Sequence, residues 1–150
     1  MSKYKNQKIS VSTLQKCTLF NELTEDTINS FIDSILLREI LKGTLILSEE
    51  EHSNSIYILQ NGLVKVTKFS DQGKELILAF LGQDDFFGEM SLFDGEGRST
   101  NIVAKTDCSL LEFRKEDFFE LVRKHPSVSM EIIKKLSSRL RRANNKMGDQ

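Results

Sequence analysis

The chain has 150 residues, a net charge of -1, 39% hydrophobic residues and 29% charged residues. One globular domain with its own core fits those values, and they give neither a global basic field for nucleic acid nor an acidic tail. The polar start, Met1 to Lys8, lacks the apolar segment of a secretory signal, and no apolar run is long enough to span a bilayer, so a cytoplasmic, non-membrane protein is expected.

In chain order, residues 1–13 read as a flexible arm. Leu14, Leu19, Phe20 and Leu23 mark an apolar start. Thr24 is a candidate N-cap, and Ile28, Phe31, Ile32, Ile35 and Leu36 recur at helical spacing, which predicts a helix ending near Leu37 or Arg38. Cys17 and Cys108 are far apart without a partner motif, as are His52 and His125. Free thiols are therefore expected, and neither an iron–sulfur cluster nor a metalloenzyme centre is.

The middle of the chain reads as β. A short strand is expected over Thr44 to Leu47. Strands over Ser55 to Gln60 and Leu63 to Phe69 flank Asn61-Gly62, the residue pair that type I′ hairpin turns favour. Ser70-Asp71-Gln72-Gly73 is a second turn, leading into a strand over Glu75 to Leu81 that Gly82-Gln83-Asp84-Asp85 breaks. Further strands, Asn101 to Lys105 and Ser109 to Phe113, are separated by Thr106-Asp107. Many short strands at regular spacing predict a sandwich, roll or small barrel.

Helix returns at Lys115 to Lys124, and Pro126 suits the first turn of a last helix. There Ser129, Ile133, Leu136, Leu140, Ala143 and Met147 form a heptad-like stripe, while Lys134, Lys135, Arg139, Arg141, Arg142 and Lys146 form a basic face expected to be solvated.

Between β-like segments lies Phe87-Gly88-Glu89-Met90-Ser91-Leu92, with Arg98-Ser99 following Gly97. The glycine permits close backbone approach. If residues from Glu89 onward form one helical turn, their amides converge on an anion. Glu89 suits a sugar hydroxyl, not a phosphate, because it is itself negative. Arg98 supplies the cation that forks onto phosphate oxygens, and Ser99 offers a hydroxyl. Taken singly, Glu89 and Arg98 also fit a surface salt bridge; together the string reads as a sugar-phosphate cradle.

Order and spacing here resemble the phosphate-binding cassette of cyclic nucleotide-binding domains in the catabolite activator and FNR superfamily, protein kinases A and G, and cyclic-nucleotide-gated channels. The resemblance covers Leu14 to Met147 and extends to Gly43-Thr44-Leu45-Ile46, the segment Ser55 to Val66, and Gly82 to Glu89. It implies a mainly β fold with flanking helices: an eight-stranded β-roll (double-stranded β-helix or jelly-roll) with an N-terminal helix and two C-terminal helices. It places the binding domain at 14–126 and a lid or oligomerisation helix at 127–150.

By position, the resemblance assigns Gly88 and Glu89 to the ribose, with Glu89 accepting from the 2′-OH. It assigns Arg98 to the cyclic phosphate, Ser99 to phosphate or base, and the amides of Met90 and Ser91 to the anion. Leu78 and Leu81 resemble apolar wall positions, ordinary core being the competing reading of Leu78. Three departures stand out: Gly97 replaces a common proline, the turn Ser48 to His52 lacks a common glycine, and Ala143-Asn144 replaces hydroxyl residues that touch adenine. Asn144 can still offer a donor and an acceptor to a purine edge.

The implied protein is a non-enzymatic, stand-alone sensor of cAMP, with cGMP the alternative ligand, that signals by repositioning its C-terminal helices. A homodimer is expected, with a higher oligomer as the alternative, and an unidentified protein partner downstream. Two other readings compete. One is a transcription regulator of the same superfamily without its DNA-binding domain; direct DNA binding is not expected, since no recognition helix follows in this sequence. The other is an interaction module with a vestigial pocket.

Overall fold

A computed structural model describes residues 2–5, 9–48, 54–88 and 100–148. Two short helices, α1 (Val11–Gln15) and α2 (Glu25–Phe31), precede the roll, with 3-10 turns at Thr18–Phe20 and Ile32–Ser34. Nine strands occur among the described residues, the first ahead of these helices: β1 (Ser2–Lys5), β2 (Leu36–Ile40), β3 (Leu45–Leu47), β4 (Ser55–Asn61), β5 (Val64–Phe69), β6 (Glu75–Leu81), β7 (Phe86–Phe87), β8 (Asn101–Ala104) and β9 (Cys108–Arg114). Helices α3 (Lys115–Lys124) and α4 (Pro126–Gly148) complete the described chain.

The strands form two antiparallel sheets, β1-β2-β9-β4-β7 and β3-β8-β5-β6. Alternation along the five-stranded sheet sends side chains to two cores. Ile56, Ile58, Leu111 and Phe113 meet Leu14, Phe20 and Ile28 from the N-terminal helical segment, and Phe118, Leu121, Val128 and Ile132 from the last two helices. The opposite face presents Ile40, Leu59, Phe87 and Leu110 to Ile46, Leu47, Val64, Leu81 and Ile102 of the second sheet. Phe20, Phe86, Phe113 and Phe118 are fully buried, each contributing about 1.5–3 kcal/mol of apolar transfer. The mainly β roll with helices on both ends is the expected fold.

Four expectations change. Ser2–Lys5 is not a free arm: it pairs as β1 along β2, from Ser2 opposite Ile40 to Lys5 opposite Leu37. This added edge strand leaves β2 to β9 as the expected eight. The helix capped by Thr24, whose hydroxyl accepts from Thr27 N–H at 3.2 Å, stops at Phe31 and not near Leu37. The Ser34 hydroxyl bonds the Phe31 carbonyl at 2.7 Å, and Leu36–Ile40 becomes strand. Extended pairing with β9 puts Leu37 against one core and Ile40 in the other, which a helix would not do.

Asn61-Gly62 is not a two-residue hairpin. β4 and β5 lie in different sheets, so this pair carries the chain from one layer to the other. The tight hairpin is β5–β6 instead, closed by Gly73 N–H to Ser70 O at 2.9 Å. Finally, Ile133 and Leu140 of the heptad-like stripe are exposed, whereas Val128 and Ile132 are buried and Leu136 packs partly against the helical core. The roll selects a face of α4 rotated from the stripe.

Gly62 has φ +103, and a Cβ there would sit 2.5 Å from the Asp107 carbonyl oxygen and 2.8 Å from the Cys108 sulfur. Backbone crowding and a left-handed conformation act together at this position. Gly62→Ala should therefore destabilise the fold by at least about 2 kcal/mol. Chemical denaturation measures this, and a midpoint equal to that of the parent chain would refute the close approach.

Candidate functional site

The chain reaches the cassette through β6, a turn and β7. β6 is the last strand of its sheet and carries a bulge: Val66 faces Ala79 and Thr67 faces Ile77, so Leu78 has no Cα partner on β5. Bulges re-aim side chains and commonly lie beside functional sites. Leu78 is 45% exposed, which removes the ordinary-core reading, whereas Leu81 is buried in the inter-sheet core with Phe87.

The break at Gly82 to Asp85 is a built turn. Asp85 N–H donates to the Gly82 carbonyl at 3.0 Å, and the Asp85 carboxylate accepts from Gly82 N–H at 3.0 Å. Asp84 adopts φ +76. Its N–H donates to the Leu59 carbonyl at 2.7 Å, and Leu59 N–H donates to the Asp85 carbonyl at 2.8 Å. The Asp84 carboxylate accepts from Thr18 N–H at 2.8 and 3.1 Å, tying the N-terminal 3-10 turn to the same spot.

β7 then pairs with β4, Phe86 opposite Ile58 and Phe87 opposite Tyr57. Phe86 enters the helical core, while Phe87 stacks on Tyr57 with ring centroids 5.3 Å apart. Gly88 leaves this pinned strand with φ +90, a conformation that side-chain-bearing residues rarely adopt. The chain re-enters the other sheet at β8, so the cassette's two ends are anchored in different layers. Glu89, Met90, Ser91, Arg98 and Ser99 lie outside the described residues.

Asn144 is exposed on α4, on the last helix and not on the roll that carries Gly88 and Leu81. Lys135 and Arg139, expected on a solvated face, are half-buried. Lys135 Nζ lies 3.1 Å from an Asp85 carboxylate oxygen, and Arg139 lies 3.9 Å from the same oxygen. The Arg139 guanidinium also donates to the Phe86 carbonyl and sits 4.6 Å from the Phe86 ring centroid. Their spacing from Val128 and Ile132 places all four on one helix face, a signal available in the sequence but masked by the competing stripe.

Sequence reasoning also missed a buried cation beside Tyr57 of β4. Arg38 pairs with Glu112 at 3.6 Å, Glu112 accepts from the Ser55 hydroxyl at 2.7 Å, and Arg38 lies 5.6 Å from the Tyr57 ring centroid. The Glu112 carboxylate balances the Arg38 charge within the sheet. No cluster of three metal-ligating side chains occurs among the described residues, nor is any helix there long and apolar enough to cross a membrane.

Burial pushes the Cys17 thiol up to about 11, with the Asp84 carboxylate adding to the shift. At pH 8 the thiolate is then about one part in a thousand, so labelling of the folded chain at Cys17 by a disulfide reagent should be far slower than in denaturant. The unfolded thiol, with an ordinary value of 9.0, deprotonates first. Stability present below that pH should fall as the pH rises from 9 toward 11, and Cys17→Ala should flatten this part of the stability profile. An equally steep profile in the variant would remove Cys17 as its source.

The sequence pattern described as the cyclic nucleotide-binding domain matches residues 37–125. The chain is 29% identical over 127 residues to the cAMP-activated global transcriptional regulator CRP of Salmonella typhimurium, covering 84% of this chain and 60% of that protein. The chain thus spans well under two thirds of the length of that regulator. In structure it is similar to the catabolite activator protein of Thermus thermophilus, with a TM-score of 0.74 and 30% identity, covering 87% of this chain and 62% of the other. It is also similar to the regulatory domain of Toxoplasma gondii protein kinase A crystallised with cAMP, with a TM-score of 0.64 and 27% identity, covering 74% and 42%. Strand order, the glycine that ends β7 and the matched sequence pattern agree: the chain belongs to the cyclic nucleotide-binding domain family.

Proposed function

We propose that this chain is a sensor that binds a cyclic mononucleotide, cAMP with cGMP as the alternative, and reports occupancy by repositioning its C-terminal helices. The observation that carries this reading is Gly88: held at φ +90 by a strand packed into both cores, it directly precedes Glu89. Glu89 accepts from the ribose 2′-OH, Arg98 pairs with the cyclic phosphate, and Ser99 bonds phosphate or base. The amides of Met90 and Ser91 complete the anion site. Leu81 and the bulged Leu78 form the apolar wall. Asn144 meets a purine edge only when α4 lies over the site, which links base contact to helix position. Relatives named for cAMP activation and a neighbour crystallised with cAMP support the choice of ligand.

Calorimetric titration with cAMP and cGMP tests the reading. Binding of either supports it, and no heat with both at millimolar concentration would reject it. Arg98→Ala should lose on the order of 2–5 kcal/mol of binding energy if the guanidinium–phosphate pair is desolvated. Unchanged affinity in that variant would remove Arg98 from the site.

The sensor acts as a homodimer through α4. Met130, Ile133 and Leu140 are 53, 55 and 64% exposed on a helix whose other face is spent on the roll. Sedimentation should show a dimer that Ile133→Asp with Leu140→Asp converts to monomer; a parent chain monomeric with and without ligand would overturn this.

A second reading, the nucleotide-responsive part of a transcription regulator, is favoured by the curated relative matched over 60% of its length. A DNA mobility shift that survives physiological salt would select it.

A further inference from the structure

The turn at Gly82 to Asp85 makes polar bonds to three parts of the molecule that also meet in the helical core. It is bonded to β4 through Leu59, to the N-terminal 3-10 turn through Asp84, and to α4 through Asp85. On α4, Lys135 and Arg139 stand one turn apart and converge on a single Asp85 oxygen, at 3.1 and 3.9 Å. Arg139 adds its bond to the Phe86 carbonyl and its position over the Phe86 ring. These partly buried groups are screened less than the surface pairs of α3, such as Lys124 with Glu120. Asp85 lies three residues before Gly88. A displacement of the cassette that tilts β7 therefore moves the anchor of α4.

We propose that Asp85, Lys135 and Arg139 form a charged joint that couples the cassette to the last helix, so that nucleotide occupancy and helix position are one equilibrium. This rests on the cyclic-nucleotide reading above. Asp85 is a positioning residue in this scheme. Its second oxygen holds the turn through Gly82 N–H, while the oxygen shared by Lys135 and Arg139 holds the helix. The factor by which nucleotide favours one helix position is the factor by which that position favours nucleotide, and a contact made in only one position shifts the apparent affinity.

The test combines calorimetry with hydrogen–deuterium exchange on the full chain. Asp85→Asn keeps an acceptor for Gly82 and removes the charge; Lys135→Gln removes the partner without touching the turn. Each should change cAMP affinity at least threefold, in the same direction, and the double variant should change it no more than the larger single one. Without nucleotide, Lys135→Gln should also accelerate amide exchange about tenfold both in residues 135–145 and in residues 86–100, although the substitution lies only on the helix.

Wild-type binding with unchanged affinity in all three variants would overturn the joint. So would acceleration confined to the helix. If the wild-type chain binds neither cAMP nor cGMP, the ligand reading falls and the exchange measurement decides the joint by itself: acceleration in both segments sustains it, and its absence from 86–100 ends it.

Discussion

The site depends on a strand of two residues. Phe86 and Phe87 point to opposite faces of the five-stranded sheet, one into the helical core and one into the inter-sheet core. A strand that short has little ladder energy of its own. Its position comes from two buried aromatic rings, the Tyr57 stack, and the turn bonded to Leu59 before it. Burial on both faces holds the backbone where Gly88 must adopt its left-handed angle. The protein thereby uses its hydrophobic cores to aim a glycine.

The same arrangement explains why polar groups accumulate just upstream. Asp84 and Asp85 lie side by side in a tight turn, where like charges repel unless each has its own partner. Asp84 finds the Thr18 amide, and Asp85 finds Gly82, Lys135 and Arg139. The N-terminal 3-10 turn and the last helix are thus drawn to one corner of the roll. Arg38, Glu112 and Ser55 complete the polar framework beneath the neighbouring strand.

The strands were legible because their alternation is strong and their turns carry Gly, Asp and Ser; the β5–β6 hairpin and β9 lie within a residue or two of expectation. Local patterns could not show which strands share a sheet. Asn61-Gly62 has the chemistry of a hairpin turn, but Gly62 answers to the carbonyl of Asp107, distant in sequence, and not to its neighbours' pairing. Ile35 to Leu37 continues a helical apolar pattern, and pairing with β9 overrides it. On α4 two apolar faces compete within one helix, and the roll's surface decides between them. At the cassette's approach, Gly88 has a left-handed backbone and Leu81 is buried, and Leu78 is set apart by a bulge that no single-strand pattern encodes.

The switch of sheets at Gly62 bears on how the chain folds. β4 finds its main partner in β9, with Ser55 opposite Arg114, and β2 pairs with the same strand, with Leu36 opposite Glu112. The central strand of the larger sheet is therefore the last strand to be made. Such long-range pairings raise contact order and slow folding, because loop closure precedes the contacts that reward it. During synthesis β2 and β4 wait with unpaired edges until β9 arrives, whereas the β5–β6 hairpin can form alone. The larger sheet closes only when β9 arrives between β2 and β4.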